Sequence, residues 1–289
     1  VAHISDEIQR GAVSGRLRLG HEETGEFGNS NALAFFAVYS LISAVCLFLI
    51  WKGNPLRWLA LASIPPIFTH ITYTGSRSGM ATTAMTGFAF WFFYLRDMGR
   101  QDLGRKLMGF VLILCIMTGL GVWILTSPFA YRFFGEKGER TYGEDRGYLA
   151  IQGLRMFTTA PLTGHGMFGF NRLAAQYNVP PLTIAHCLYV DLLIRGGIPG
   201  FLLYYCAWFL FIRELLRLRR LPLSRNDRIY VNMMLLYCTA FFVNSFTGTP
   251  INPRVTWMTL GAAIGYTYGL RTRLLGGQPQ EEASAYGAG

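Results

Sequence analysis

Three side chains in this 289-residue chain have the types and the order to act on an anionic substrate: Arg77, Arg146 and His186. His186 opens the stretch His186-Cys187-Leu188-Tyr189-Val190-Asp191-Leu192-Leu193-Ile194-Arg195-Gly196-Gly197-Ile198-Pro199-Gly200, which sets an imidazole at the mouth of an apolar helix. Imidazole changes charge near neutral pH and suits a general base. The planar fork of a guanidinium binds phosphate oxygens two at a time. A proton acceptor facing two fixed cations suits chemistry on an anionic, lipid-linked substrate. The elements carrying the three residues must then bring them to one side of a membrane.

Composition sets the class of those elements. The chain is 52% hydrophobic and 15% charged, with 22 Phe and a mean hydropathy of +0.30, too apolar for an ordinary soluble domain. A bilayer core of roughly 30 Å needs about 20 mainly apolar residues per helix. Seven segments meet this, at about 32–51, 55–74, 79–95, 107–127, 187–212, 229–247 and 255–270. Alternating strands of barrel type are absent, so the spans are expected to be helices. The expected fold is all-α: a polytopic transmembrane bundle of about seven spans with a large extracytoplasmic loop containing short helices.

Charge orients the bundle. The connections at 52–57, 96–106 and 213–228 and the tail after 270 hold fourteen of the 26 basic residues, among them Lys52, Arg57, Arg105, Arg213, Arg228 and Arg271. Strict alternation puts all four on one side, which the positive-inside rule makes the cytoplasm. The net charge of +10 is then mostly topology and contact with anionic lipid. These cations flank spans without a binding module, which argues against nucleic acid as a partner. The expected organisation is an extracytoplasmic segment 1–31, spans 32–127, an extracytoplasmic loop 128–185, spans 186–270 and a cytoplasmic, disordered tail 271–289. Seven spans with the C-terminus inside put the N-terminus outside without an export signal, so earlier helices of a larger membrane protein are expected.

The external loop carries Arg132, Lys137, Arg140, Arg146, Arg155 and Arg172 with Glu136, Glu139, Glu144 and Asp145. From Arg146 the apolar residues Leu149, Ile151, Leu154 and Phe157 recur at helical spacing and predict a helix lying along the membrane surface. Pro161 and Gly164-His165-Gly166 end it. No strand precedes that Gly-x-Gly, so it is not a dinucleotide motif. His165, flanked by glycines, is a second candidate base, and His70, seven residues before Arg77, is expected to share a helical face with it. Asp191 and Arg195, four apart on one face, read either as a paired charge at the rim or as groups tuning His186 or touching a diphosphate. Pro199 between Gly197 and Gly200 predicts a kink or a division of the helix. Five scattered Cys without CxxC spacing suggest neither disulfides nor zinc.

Gly75-Ser76-Arg77-Ser78-Gly79 follows a span, then comes an external Arg before Pro161-Leu162-Thr163-Gly164-His165-Gly166, then His186 with Gly197-Ile198-Pro199-Gly200 eleven residues on. This order resembles the O-antigen ligase and O-antigen polymerase superfamily over most of residues 25–270, with Gly25-Glu26-Phe27-Gly28-Asn29-Ser30-Asn31 similar to its external loop before a span. Its ligases carry His followed by Asn, Ser or Gln, nine residues and Gly-x-x-Gly. Here Cys187 holds the second position, and Phe201 and Leu202 stand where a Thr pair usually follows. These departures lean towards a polymerase-like member and leave polymerase and ligase both open.

The resemblance implies a metal-independent, inverting glycosyltransferase without a cofactor, in the bacterial cytoplasmic membrane with its site facing outward. It implies transfer of a glycan from an undecaprenyl-diphosphate carrier to an acceptor sugar hydroxyl during synthesis of O-antigen, capsule or exopolysaccharide. Arg77 and Arg146 would bind the diphosphate, and His186 would take the proton from the acceptor. Arg155 and Arg172 are reserve phosphate contacts, with Asp191 and Arg195 as supporting residues. A polytopic transporter or lipid-glycan flippase is the alternative. Such carriers keep ionisable residues at mid-membrane, whereas the candidate residues here cluster outside.

Overall fold

The computed structural model describes residues 30–74, 76–97, 146–179, 185–246, 248 and 254–275. The segment 1–29, the span expected at 107–127, the loop up to residue 145 and the Gly-rich tail from 276 lie outside the described residues. Among the described residues every regular element is helical: α1 (Ser30–Ile50), α2 (Arg57–Ala62), α3 (Ile64–Tyr73), α4 (Arg77–Asp97), α5 (Arg146–Thr158), α6 (Gly169–Leu173) with a 3₁₀ turn at Ala174–Tyr177, α7 (Leu188–Leu218), α8 (Arg225–Ser245) and α9 (Arg254–Leu275). The all-α class is as expected. Among these, only α1 is by itself long and apolar enough to cross a membrane on length and composition.

α8 is the central helix, packed against α4, α1 and α7. One core joins it to α7 and α9 through Phe211, Leu215, Val231, Leu235 and Leu270, with the Trp208 and Phe241 rings stacked. A second joins it to α1 and α3 through Val38, Ile42, Ile71, Leu236 and Ala240. A third core holds α5 and α6 on the first turns of α7 through Leu149, Met156, Phe170, Val190 and Ile194. The bundle is also apolar on its outside, where Trp58, Leu59, Phe88, Phe92, Leu203 and Phe209 are each more than half exposed.

Local chemistry explains where elements differ from expectation. The span expected at 55–74 is two helices meeting at Ser63. Pro65 and Pro66 begin the second one and lack the N–H groups that would continue the ladder from α2. His70 lies in α3 and Arg77 begins α4, so the two do not share a helical face. α7 is one helix by ladder but carries a break at Gly197 (φ 61°, ψ −164°), two residues before Pro199. Twenty-one residues from Ile198 to Leu218 follow the break, about 30 Å at 1.5 Å per residue, enough to span a bilayer core. α9 continues through Arg271 and Arg273 to Leu275, past the boundary expected at 270.

Candidate functional site

One end of the bundle gathers the starts of the helices that carry the candidate residues. α1 and α4 run side by side in one direction, since Ser76 of the α4 start bonds Asn31 of the α1 start. α8 runs back between them and brings Asn244 to Thr82 by a short hydrogen bond. Tyr189 in the first turn of α7 donates its hydroxyl proton to the Phe242 carbonyl at 3.0 Å, which ties the α7 start to the same end of α8.

The Ser76-Arg77-Ser78-Gly79 motif has a local explanation. Ser76 Oγ accepts the Gly79 N–H at 3.1 Å and so caps α4, which makes Arg77 its first residue. Thr74 Oγ1 accepts the Ser76 N–H in turn, and Ser78 Oγ lies 3.0 Å from Ser76 Oγ. Gly79 is small because a Cβ there would stand 2.6 Å from the Ala34 Cβ of α1. Thr74, Ser76, Ser78, Thr82, Asn244 and Ser245 are all buried, an unusually polar patch for this core. The Arg77 side chain lies outside the described residues.

His186 precedes α7 rather than sitting on it; Cys187 is the N-cap and is extended. Its φ of 51° puts it in the left-handed region. Non-glycine residues there are uncommon, and strain of about 1–3 kcal/mol persists where surrounding structure demands it, often at functional sites. Nothing in a sequence signals this for a residue with a Cβ.

Arg146 reaches the same end by a different route. α5 lies on the first half of α7 and runs in the same direction: Gly153 sits against Val190 and Ile194, and the loop after α5 meets α7 from Ile194 to Ile198. The N-termini of α5 and α7 therefore lie together, with Arg146 exposed at the first position of α5. The packing face of α5 differs from the apolar periodicity. Leu149, Gln152, Gly153 and Met156 are buried, while Ile151 and Leu154 are 54% and 45% exposed. A Cβ at Gly153 would lie 2.5 Å from Val190, so the missing side chain, not an apolar one, sets the contact.

The break in α7 holds this arrangement. Pro199 has no N–H for the Arg195 carbonyl, and the Ile198 N–H turns away to the Pro161 carbonyl at 2.8 Å. The two carbonyls so released are satisfied from the loop: His165 N–H donates to Ile194 O at 2.6 Å, and Gly166 N–H to Arg195 O at 2.9 Å. The approach is close enough to exclude side chains. A Cβ on Gly164 would lie 2.4 Å from Arg195 O, and one on Gly197 2.7 Å from Pro161 O. Both glycines have positive φ. Pro161-to-Gly166 and the start of Gly197-to-Gly200 are thus two halves of one joint.

The other candidates are distributed around this frame. His165 Nε2 lies 3.0 Å from both Met156 O and Thr159 Oγ1, which engages it in closing the end of α5. Arg172 donates to His165 O at 2.6 Å and braces the same loop. Arg155 is exposed and lies 3.5 Å from Gln152 Oε1. Among the described residues no three His, Cys, Asp or Glu gather as a metal-binding group.

Asp191 and Arg195 form the ion pair that their spacing allows, at 2.9 Å. The carboxylate is 3% exposed and the guanidinium 32%. Arg195→Ala should therefore cost about 3 kcal/mol at neutral pH, because it strands a buried charge. Asp191→Ala should cost less, since Arg195 can hydrate. Unfolding temperatures of the two variants test this: Arg195→Ala should fall further than Asp191→Ala, and equal losses would refute the buried-charge account.

Among the described residues the architecture is an all-helical bundle with a polar end and an appended short-helix unit. Residues 66–205 match the O-antigen ligase family, so this region of the chain is similar to the O-antigen ligase and polymerase superfamily. The matched region contains Arg77, Arg146 and His186. Comparison with curated proteins gave no match. The family carries with it a ligase- or polymerase-type role in surface polysaccharide synthesis, which is glycan transfer between lipid-linked and acceptor substrates.

Proposed function

We propose that this chain is a polytopic enzyme of the bacterial cytoplasmic membrane that transfers a glycan from an undecaprenyl-diphosphate carrier to an acceptor sugar hydroxyl on the extracytoplasmic face. The observation that supports this reading is that the starts of α4, α5 and α7, on which Arg77, Arg146 and the approach to His186 lie, are at the same end of the bundle. Helix N-termini carry positive partial charge and favour anions, which adds to the two guanidinium groups at the same end. The apolar outer surface of the bundle supports membrane embedding, with seven spans as the full arrangement. Ile151 and Leu154, exposed on α5, would face the outer leaflet.

In this reading His186 removes the proton from the acceptor hydroxyl as its oxygen attacks the anomeric carbon. The bond from that carbon to the diphosphate oxygen breaks, and undecaprenyl diphosphate leaves with its charge facing Arg77 and Arg146. A single displacement inverts the anomeric centre. Cations already in position stabilise the leaving group without reorganisation. Reconstitution of the purified protein with a lipid-linked glycan tests the reading: new glycosidic bonds are expected, and movement of the glycan across the bilayer without new bonds would make it a carrier.

Arg77→Lys should lower transfer by roughly 10- to 100-fold, because a point charge does not reproduce a two-bond contact to phosphate and hydrogen bonds to charged groups are worth about 1.5–3 kcal/mol. Unchanged transfer in vesicles holding equal amounts of protein would reduce Arg77 to an interface anchor.

A further inference from the structure

The end of the bundle opposite the candidate site holds a cavity of about 270 Å³. Among the described residues its walls are Cys46 and Leu49 of α1, Phe90 and Phe93 of α4, and the first three turns of α8. Ile229, Met233 and Leu236 continue the apolar lining, and Arg225, Arg228 and Asn232 supply the polar part. α8 has 21 residues, so its first turn lies about 30 Å from its last. The arginines of the cavity are therefore well separated from Asn244, and its inner end at Leu236 stops about 12 Å short of it.

The lining has two chemistries. One part is hydrocarbon and aromatic; the other is cationic and lies at the helix end that the positive-inside rule assigns to the cytoplasm. Arg219 adds a third guanidinium behind the wall, donating to Phe93 O at 3.0 Å with its charge 4.9 Å from the Phe93 ring centre. Asp227, the carboxylate in the first turn of α8, is engaged by Ser224, Tyr266 and Arg273. An apolar cavity of about 150 Å³ already admits benzene, so this one has room for part of an alkyl chain.

We propose that this cavity binds an anionic phospholipid of the cytoplasmic leaflet, with the headgroup phosphate at Arg225 and Arg228 and the first part of an acyl chain between α1, α4 and α8. The two arginines flank the mouth, and Asn232, one turn deeper, meets the ester region. A zwitterionic lipid of the same chain length lacks the net charge that three arginines favour. The proposal rests on the membrane reading above but not on glycan transfer, so an inactive protein can still satisfy it.

The test is lipid retention by the purified full-length chain in a neutral detergent, read by native mass spectrometry. Phosphatidylglycerol should bind, phosphatidylcholine should bind at least about tenfold more weakly, and inorganic phosphate should not compete at equal concentration. Arg225→Gln with Arg228→Gln should weaken phosphatidylglycerol binding on the order of 30-fold, from roughly fivefold per cation near a membrane surface. Arg225→Lys with Arg228→Lys should stay within about fivefold of wild type, which separates lost charge from lost fold. Leu49→Phe, which fills the apolar part, should also expel the lipid while keeping the unfolding temperature. Equal binding of the two lipids, full binding by the Gln pair, or full binding by the Phe variant would each overturn the proposal.

Discussion

His186→Asn is expected to leave the protein folded and membrane-inserted while lowering glycan transfer by about 10²- to 10⁴-fold, the usual contribution of a positioned general base. Asn is the informative replacement. At φ 51° an ordinary side chain is strained, whereas Asn tolerates the left-handed region and cannot accept the proton. His186→Ala removes the base too but alters the backbone preference, so a loss there mixes two causes. The measurement is transfer in reconstituted vesicles, with protein abundance and unfolding temperature recorded beside it. Wild-type transfer by the Asn variant would remove His186 from the chemistry and return attention to other acceptors at that end of the bundle.

Gly197→Ala should be strongly destabilising for a single added methyl. Its φ of 61° and ψ of −164° belong to a region that only glycine occupies without strain, at a cost of about 1–3 kcal/mol for other residues. The added Cβ would also lie 2.7–2.8 Å from backbone atoms of Pro161 and Leu162, which cannot swing aside as a side-chain tip can. A total of about 3 kcal/mol or more is expected, with loss of transfer as α5 and Arg146 lose their seat on α7. Gly196→Ala supplies the control one residue away. It has helical backbone and open space around its Cβ position, so it should be neutral or stabilising by about 0.5 kcal/mol. Thermal unfolding of both variants checks the contrast, and equal effects would show that the joint contributes nothing.

Much of the frame was legible because it depends on neighbours in sequence. The apolar runs of α1 and α8, the helix that begins at Arg146, and the Pro199 disruption all follow from local rules. Failures arose where distant segments decide. Apolar spacing in 146–157 pointed to Ile151 and Leu154, but Gly153 lets α7 come so close that its own side of the helix is buried instead. The prolines after Ser63 divide a run that hydropathy alone joins, and this also separates His70 from Arg77. No spacing rule pairs Gly164 with Gly197, since each reads separately as a turn or a kink. The left-handed His186 is likewise a property of what surrounds it. For Arg146 and His186 type and order suggest a chemistry but no position; their common end follows only from the direction of α5 along α7.

The Pro161–Gly166 joint bears on how the protein assembles. Its three amides, on His165, Gly166 and Ile198, bond to carbonyls on the other side of the same junction, so opening one frees the others. α5, the loop after it and the first turns of α7 thereby make a cooperative unit with short sequence separations, the sort that closes quickly and opens as a whole. During synthesis α5 emerges first and has no partner for its glycine face until α7 arrives. The seat of α5 on α7 thus forms only when the break in α7 captures a loop made thirty-odd residues earlier.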